Sequence, residues 1–566
     1  MRQAHSVAKV RAAEGALMAT VADGVPMQRA AFGLATVCAR LLGSCYGARV
    51  MILAGSGDNG GDALYAGAWL ARRGVAVRAV TAGSKTHRGG AGALRAAGGR
   101  LFVPADPAVP GLMHGADLIV DGMLGIGGRG GLREPYAGLA AQAASSAATV
   151  VAVDLPSGVD ADSGALDGAA VQADVTVTFG TWKPGLLVDP GASKAGVTEL
   201  IDIGVGPFLD PPDVIALQDA DLAALLPRPS AESDKYRRGV VGIVAGSDRF
   251  TGAAWLAVGG AVHAGAGMVR LVSAPAAAGI VRQQWPEAVI TTTEGGQDAA
   301  AVLRAAGRVQ AWAAGPGMGT GDDAARLLAE VLATDLPVLV DADGLTLLAA
   351  APGLLPRAAP TLLTPHAGEL ARLLRADRAG ADQADVDQAD VDQADVDRAE
   401  VEARRLEYVR EAAARFGATV LLKGSTTVIA GPEPGSPVLV NPTGTPWLAT
   451  AGTGDVLSGL AGALLAQGLT AADAAAAAAY LHGLAARLAA ASAPIGASDV
   501  VRALPAAFRA VAGGTGADGT ATGGAAAADG AAAADGAAAA DGAAAADGAA
   551  AHGATAADGA ASDTNG

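Results

Sequence analysis

Cysteine is scarce in this chain: Cys38 and Cys45 are the only two in 566 residues. That excludes a disulfide framework and makes a reduced, cytoplasmic setting the expectation. Aromatic residues make up only 3%, so Leu and Val, with much small Ala, are expected to fill the cores. No basic stripe is present to neutralise a phosphate backbone, which argues against a nucleic-acid partner. The opening MRQAHSVAKVRAAE has no apolar stretch of the signal-peptide kind. The most apolar region, 456–493, is interrupted by Gln467, Thr470, Asp473, His482 and Arg487. It therefore reads as buried helices, and no membrane contact is expected.

Length allows two or three domains. The net charge of -16 is concentrated in two segments. Residues 377–402 hold ten acids against two bases, and residues 511–566 hold seven acids with no Lys or Arg. The remainder is close to neutral. In 377–402, DQADV repeats with a period of five, which sets successive valines about 140° apart on a helix. Val386, Val391, Val396 and Val401 then form no single stripe, so this insertion is expected outside the core. The AAAADG repeats of the tail, 511–566, are too small and polar to bury a core and are expected to be disordered.

Between these segments the pattern is α/β. After a helical stretch over 1–45, apolar runs at 48–55, 74–83, 116–125, 149–158 and 174–180 alternate with helical segments. A proline-rich boundary at 210–229 separates them from a second series, at 239–247, 267–275, 309–317, 336–344, 359–369, 418–425 and 426–432. Alternating strands and helices imply mostly parallel sheets covered on both faces, with ligands at the C-terminal strand edge. The expected units are 1–215 and 225–510.

In the first unit AGSGDNGGDALYAG (54–67) lies between a strand and a helix, where glycines let backbone N–H groups approach an anion. A Gly-rich turn alone is weak evidence. Here VDGMLGIGGRG follows with Asp121, and VDLPSG with Asp154 and Ser157. Asn59, Asp121 and Ser157 offer hard oxygen atoms carrying at most one charge, a set suited to a monovalent cation. For Asp154 a helix cap is the structural alternative.

This ordered trio resembles the NAD(P)H-hydrate epimerase family over roughly residues 1–215, which implies a Rossmann-like three-layer αβα fold. The resemblance implies that Asp58, Asn59, Gly60, Gly61 and Asp62 line the hydrate site. Gly125, Ile126, Gly127, Gly128, Arg129, Gly130 and Gly131 would hold phosphate or ribose. Asn59, Asp121 and Ser157 would bind K⁺, and Asp154 would contact substrate and transfer the proton. The family usually reads NNGGDG; this chain has Asp58 for the first Asn and Ala63 for the last Gly.

The second unit carries NPTGTPWLATAGTGDVLSGLAGALLAQG (441–468). Its AGTGD places backbone N–H groups at a helix start with a carboxylate beside them, an anion hole with a base for phosphoryl transfer. A capped helix is the alternative. The motif is similar to ribokinase-like small-molecule kinases. With GIVAGSDRFTGAAWLA, GAGMVRL, AAGPGMG, VDADGL, LLTPHAGELARLL and LLKGSTTVI in order, residues 230–505 resemble the ADP/ATP-dependent NAD(P)H-hydrate dehydratase family. That implies a ribokinase-like αβα fold. It also implies hydrate contacts from Ala253, Gly317, Gly319, His366 and Asp455, with Asp455 as catalytic acid/base. Lys423, Gly424, Ser425, Thr426, Thr427 and Gly454 would bind the nucleotide, ADP or ATP, with Mg²⁺. A plain loop histidine and an edge-strand lysine are the alternatives for His366 and Lys423; Asp341 and Asp343 receive no role.

The expected activity is repair of hydrated NADH and NADPH by a homo-oligomer. One half would interconvert the R and S hydrates, and the other would dehydrate the S form with ADP. Two other readings compete: a vitamin kinase with a regulatory N-terminal domain, and a catalytically dead scaffold.

Overall fold

The computed structural model describes residues 1–83, 85–382 and 396–513. Most of the DQADV segment and the whole AAAADG repeat lie outside them. The described residues form two α/β sheets.

The first sheet has seven strands in the order Arg100–Phe102, Ala76–Thr81, Arg49–Ala54, Leu118–Gly122, Thr149–Val153, Val175–Phe179 and Val197–Ile201. Every neighbouring pair is parallel. Strand Arg49–Ala54 shows why an unbroken apolar run is needed. Val50, Ile52 and Ala54 enter the core under one face, while Met51 and Leu53 enter the core under the other. Successive side chains of a strand point to opposite faces, and here helices cover both.

The second sheet has eleven strands. Its parallel heart runs Thr419–Leu422, Thr361–Leu363, Val338–Val340, Ala311–Ala314, Val240–Val244, Met268–Ser273 and Val289–Thr292. Thr427–Ala430 and Val438–Asn441 add antiparallel strands beyond Thr419–Leu422. Val214–Ala216 and Arg2–Ala4 complete that edge. The expectation of helix from the first residue is corrected here. Arg2–Ala4 is a strand, and helices follow at Val7–Met18 and Val25–Leu42. Three residues are too few to show a period, so the pairing with Val214–Ala216 decides their conformation.

Helix Thr453–Ala466 packs against Thr251–His263 at unusually close range. A Cβ on Gly459 would lie 1.8 Å from the Ala257 carbonyl oxygen, and one on Gly260 would lie 2.3 Å from that of Val456. Both positions therefore require glycine, and the contact fixes the helix that begins with the AGTGD motif.

Two sequence expectations fail at their margins. Val396 and Val401, assigned outside the core, are buried in it. Helix Arg398–Ala403 carries Val401 and packs beside Ala367–Asp382; tertiary packing supplies the apolar face that a period of five does not. Residues 511–513, grouped with the tail, instead end helix Ala497–Gly513, and Val511 is buried. It continues the stripe Val500, Leu504 and Ala507 at helical spacing.

Candidate functional sites

At the first sheet, strand Thr149–Val153 ends in Asp154, whose φ is +66°. This left-handed conformation is uncommon outside glycine and is often met at functional positions. The side chain does not cap a helix. Its Oδ1 lies 2.5 Å from Nζ of Lys183, which is fully buried. Thr178 Oγ1 and the Phe179 amide donate to the same oxygen at 3.1 and 3.3 Å. Lys183 also donates to Thr178 Oγ1 at 3.0 Å and to the Phe179 carbonyl at 2.9 Å. All three ammonium donors are thus used, as burial of a charge demands.

Two more carboxylates face this pair. Asp62 is buried and its Oδ1 has no hydrogen-bond partner among the described residues. Burial, reinforced by Asp154, Asp58 and Glu14, pushes its pKa well above the usual carboxylate range. Burial likewise raises Glu14, against the pull of Lys183. A carboxyl group whose neutral form is favoured, set beside one paired with a lysine, is the arrangement that can separate acid from base.

Asn59, Asp121 and Ser157 also converge. Asp121 is wholly buried and accepts from Ser157 Oγ at 2.7 Å, from the Ser157 amide at 2.8 Å and from the Met123 amide at 3.2 Å. Burial raises its pKa to about 6. Asn59 Nδ2 donates to the carbonyls of Leu124 and Val153 at 3.0 and 2.8 Å, and Gly125 lies against its side-chain oxygen. Asp58 is exposed at the start of helix Asp58–Arg72, while Gly60, Gly61 and Asp62 are buried. Gly60 leaves no room for a Cβ beside the Gly55 carbonyl. Ala63 fits because its methyl fills space that a side chain on Gly122 would need. The loop Gly125, Ile126, Gly127, Gly128, Arg129, Gly130 and Gly131 is half-buried to exposed beside Asn59.

At the second sheet, helix Thr453–Ala466 starts after Gly452, whose φ of +90° turns the chain into it. Asp455 lies in its first turn. Burial, then the neighbouring Asp341, raises its pKa to about 7, with Lys423 opposing and Asp343 adding to the rise. Lys423 Nζ pairs with Asp341 Oδ1 at 2.7 Å and approaches Glu369 Oε2 at 4.0 Å. Burial works against the lysine's charge, but Asp341, Glu369 and Asp455 outweigh it and hold its pKa above the ordinary value. Ser458 Oγ donates to Asp341 Oδ2 at 2.5 Å. Lys423 is therefore no edge-strand lysine: its strand lies inside the sheet and its ammonium faces Asp341.

Gly454 lies over this pair, a Cβ there falling 3.5 Å from Lys423 Nζ. The Gly319 amide donates to Asp343 Oδ2 at 2.9 Å, and Gly317 packs against Ala253 and Phe250 with φ of +58°. His366 bridges Lys423 through the backbone. Its Nδ1 accepts the amides of Gly368 and Glu369 at 3.1 and 3.2 Å, so it caps the start of helix Ala367–Asp382, and the residue is exposed. Partial desolvation lowers its pKa. Gly424 and Ser425 are exposed, whereas Thr426 is buried and its hydroxyl donates to Asp189 of the N-terminal half at 2.9 Å. Thr427 opens the next strand.

Sequence reasoning missed Lys183, Glu14, Glu369 and Ser458, and gave Asp341 no role. Lys183 had a signal: it stands just past a strand end, in TWKPG. Glu14 had none, since its helix reaches the site only through tertiary packing.

The comparisons agree with this division into two centres. The family model described as NAD(P)H-hydrate dehydratase matches residues 241–505. The model described as YjeF-related protein N-terminus matches residues 24–185. The bifunctional NAD(P)H-hydrate repair enzyme Nnr of Mycobacterium leprae is 47% identical over 87% of this chain and 95% of its own length.

The chain belongs to the bifunctional NAD(P)H-hydrate repair enzyme family.

The member from Mycobacterium tuberculosis is 46% identical over 84% of this chain and 92% of its own. Among solved structures, the ADP/ATP-dependent NAD(P)H-hydrate dehydratase of Bacillus subtilis, co-crystallised with ATP and Mg²⁺, is 29% identical with a TM-score of 0.44. It covers 53% of this chain and 99% of its own. Membership in a bifunctional family suits a chain with two carboxylate centres on two separate sheets.

Proposed function

We propose that this chain repairs hydrated NADH and NADPH in two steps: the N-terminal half interconverts the R and S hydrates, and the C-terminal half dehydrates the S form with a nucleotide. The observation that carries the reading is the pair of carboxylate centres, Asp154 and Asp455, each in a buried polar cluster at a strand edge or helix start of its own sheet. A vitamin kinase would need only the second. A dead scaffold would have no use for a buried Lys183–Asp154 pair, which is costly to maintain.

In the first centre Asp154, held by Lys183, is the group that moves the proton at the dihydropyridine ring, while Asp62, whose burial favours its neutral form, stands beside it. The residues suited to K⁺ are Asn59, Asp121 and Ser157. Asp121 is a buried carboxylate with no cationic side chain in ion-pair contact among the described residues, and uncharged oxygens surround it. When bound, K⁺ would balance that charge and offer an anchoring point for substrate oxygens. The glycine loop from Gly125 to Gly131 would hold the phosphate or ribose.

In the second centre Asp455 takes the proton from the hydroxyl of the S hydrate. That oxygen attacks the terminal phosphorus of ADP, the bond to the bridging oxygen breaks, and AMP departs. Loss of the phosphate, with a ring proton, restores the dihydronicotinamide. ADP is the proposed donor, with ATP as the other candidate. Lys423, Gly424, Ser425, Thr426, Thr427 and Gly454 receive the nucleotide; Ala253, Gly317, Gly319 and His366 receive the hydrate. Thr426 acts through loop shape, because Asp189 already engages its hydroxyl. Among the described residues no group of three His, Cys, Asp or Glu forms a metal cage. Mg²⁺ would accompany the nucleotide and, when bound, would help neutralise charge on its phosphates.

A cytoplasmic homo-oligomer accompanies this reading. No helix among the described residues is long and apolar enough to cross a membrane. Exposed Phe32 and Trp69, with ring centroids 5.2 Å apart, offer an apolar contact for a second copy.

The test is direct. The purified chain, given a mixed R/S hydrate of NADH, Mg²⁺ and ADP, is expected to generate the reduced-nicotinamide absorbance. Asp455→Asn is expected to lose that signal and keep R/S interconversion, and Asp154→Asn to strand the R form alone. No signal with either ADP or ATP would sink the reading.

A further inference from the structure

The stretch Lys423–Thr427 reaches across to the N-terminal half at one residue. Thr426 Oγ1 donates to Asp189 Oδ2 at 2.9 Å and accepts from the Asp189 amide at 3.1 Å. Thr426 is buried, so water does not compete well for these bonds. Asp189 is itself fixed, because its other oxygen accepts from the Ser193 amide at 3.0 Å and from Ser193 Oγ at 2.5 Å. Both of its oxygens are thus used, one inside its own half and one on the other half.

The neighbouring residue is fixed from the opposite direction. Arg405 is buried under Gly424: a Cβ on Gly424 would come within 2.1 Å of its Nη1. Its Nε and Nη1 have no hydrogen-bond partner among the described residues. Asp189 and Glu402 act on it electrostatically, though burial dominates and lowers its pKa. An open cavity of about 310 Å³ is lined by Asp189, Pro190, Ser193, Glu402, Arg405 and Ser425, with Ala403 completing it. Gly424 and Ser425, by contrast, are exposed. The loop therefore presents a free outer edge, while its inner edge is pinned between Arg405 and Asp189.

We propose that Asp189, which lies outside the dehydratase region, is a positioning residue for the nucleotide: it holds Thr426 and so sets the shape in which Gly424 and Ser425 meet the phosphates. The proposal rests on the reading that Lys423–Thr427 receives the nucleotide. A hydrogen bond to a charged acceptor in a buried place contributes enough to keep a short loop in one conformation. Without it the loop must be ordered by the ligand, which weakens nucleotide binding and leaves chemistry at Asp455 as it was.

The experiment uses the full chain with Asp189→Ala, Thr426→Val, both together, and Thr426→Ser. Dehydration is followed against ADP concentration, and R/S interconversion is followed in the same preparations. Expected for each of the first two variants is a rise of about tenfold in the KM for ADP, the size of one charge-assisted hydrogen bond. The value of kcat stays at the parental level in Asp189→Ala, and the rate of interconversion stays there in both. The double variant is no worse than either single one, and Thr426→Ser restores the parental KM. Ser425→Tyr, a bulky change at an exposed position, is the control for the loop itself. If it raises the KM while Asp189→Ala and Thr426→Val do not, the proposal fails and the nucleotide reading stands. If none of the three moves the KM, both fail. A matching fall in kcat and in interconversion would mean general loss of structure and would also overturn the proposal.

Discussion

Replacing Asp455 by Asn should stabilise this protein at alkaline pH while abolishing dehydration. The carboxyl has a folded pKa of about 7 against about 3.9 in an unfolded chain, and each unit is worth about 1.4 kcal/mol. Because the folded value is raised, the folded state holds the proton more tightly. Between about pH 4 and 7 the unfolded chain has ionised while the folded one has not, so stability falls as pH rises. Above pH 7 the whole cost, at most about 4 kcal/mol, is present. Asparagine matches the protonated form in shape and never ionises. Its advantage over the parent should therefore be small near pH 4 and grow by about 2.7 kcal/mol between pH 5 and pH 8. For a domain of this size that is roughly 5–11 °C in Tm. Thermal unfolding of both proteins, followed across this range, measures the gap. A gap that stays constant with pH, or one that closes as pH rises, would refute the claim that burial and Asp341 hold this carboxyl above its usual range.

Other outcomes follow from the same geometry. Replacing K⁺ by a bulky organic cation should slow R/S interconversion at least severalfold and leave ADP-driven dehydration unchanged, and Asp121→Asn should remove that salt dependence; equal slowing of both reactions would speak against a cation at Asp121. Lys183→Met leaves Asp154 buried without its partner, so it should cost about 3–5 kcal/mol in stability, and interconversion should be lost before dehydration; a variant as stable as the parent would contradict the pairing. Gly459→Val drives a side chain into the Ala257 carbonyl. It should yield insoluble protein or a Tm lowered by many degrees, measured beside Gly279→Ala, at a helical position with open space around it and no left-handed backbone.

The strands and the two motif-bearing edges were legible in the sequence because they are buried on both faces. A run such as VVGIV has to be apolar throughout, since Val240 and Val244 enter one core and Val241 and Ile243 the other. The strands that escaped notice are short or lie at edges: Arg2–Ala4, Arg100–Phe102, Val197–Ile201, Val214–Ala216, Val289–Thr292 and Val438–Asn441. Val197–Ile201 is only half-buried, so a hydrophobic run is not required of it. The same logic explains the candidate sites. Asn59, Asp121, Ser157, Asp154 and Asp455 could be picked out because each stands at a strand end or helix start beside glycine. Their partners could not, because pairing across 29 residues for Lys183 and 82 for Lys423 is set by the sheet order and leaves no local pattern. Val396 and Val401 failed for the converse reason: a five-residue period says nothing about which neighbour covers a short helix.

The two carboxylates illustrate how one kind of side chain is prepared for two tasks. Asp154 has a lysine to itself, with Lys183 wholly buried and its remaining donors spent on Thr178 and Phe179. That carboxylate is paired with a buried ammonium, and the neighbouring Asp62 and Glu14 are both pushed toward the neutral form by burial. Asp455 faces a lysine already claimed by Asp341 at 2.7 Å. The field of Asp341 and the loss of water outweigh what Lys423 returns, and the carboxyl stands near neutrality with regard to its proton. Interconversion of two hydrates needs a proton passed back and forth with no net change, which a balanced pair beside a neutral acid can supply. Dehydration needs one proton accepted from a hydroxyl as a phosphoryl group arrives, and a base with pKa near the working pH does that with the least opposing cost. Exchanging the environments would defeat both. A lone carboxyl at the first centre would hold its own proton, and a lysine-paired one at the second would be too weak a base. The prediction is that Asp341→Asn lowers the apparent pKa of the kcat/KM profile for dehydration. Asp341 raises Asp455 directly, and its removal also frees Lys423 to stabilise the ionised form. A midpoint that stays near pH 7 in that variant would mean that burial alone sets the base and that Asp341 serves only to hold the lysine.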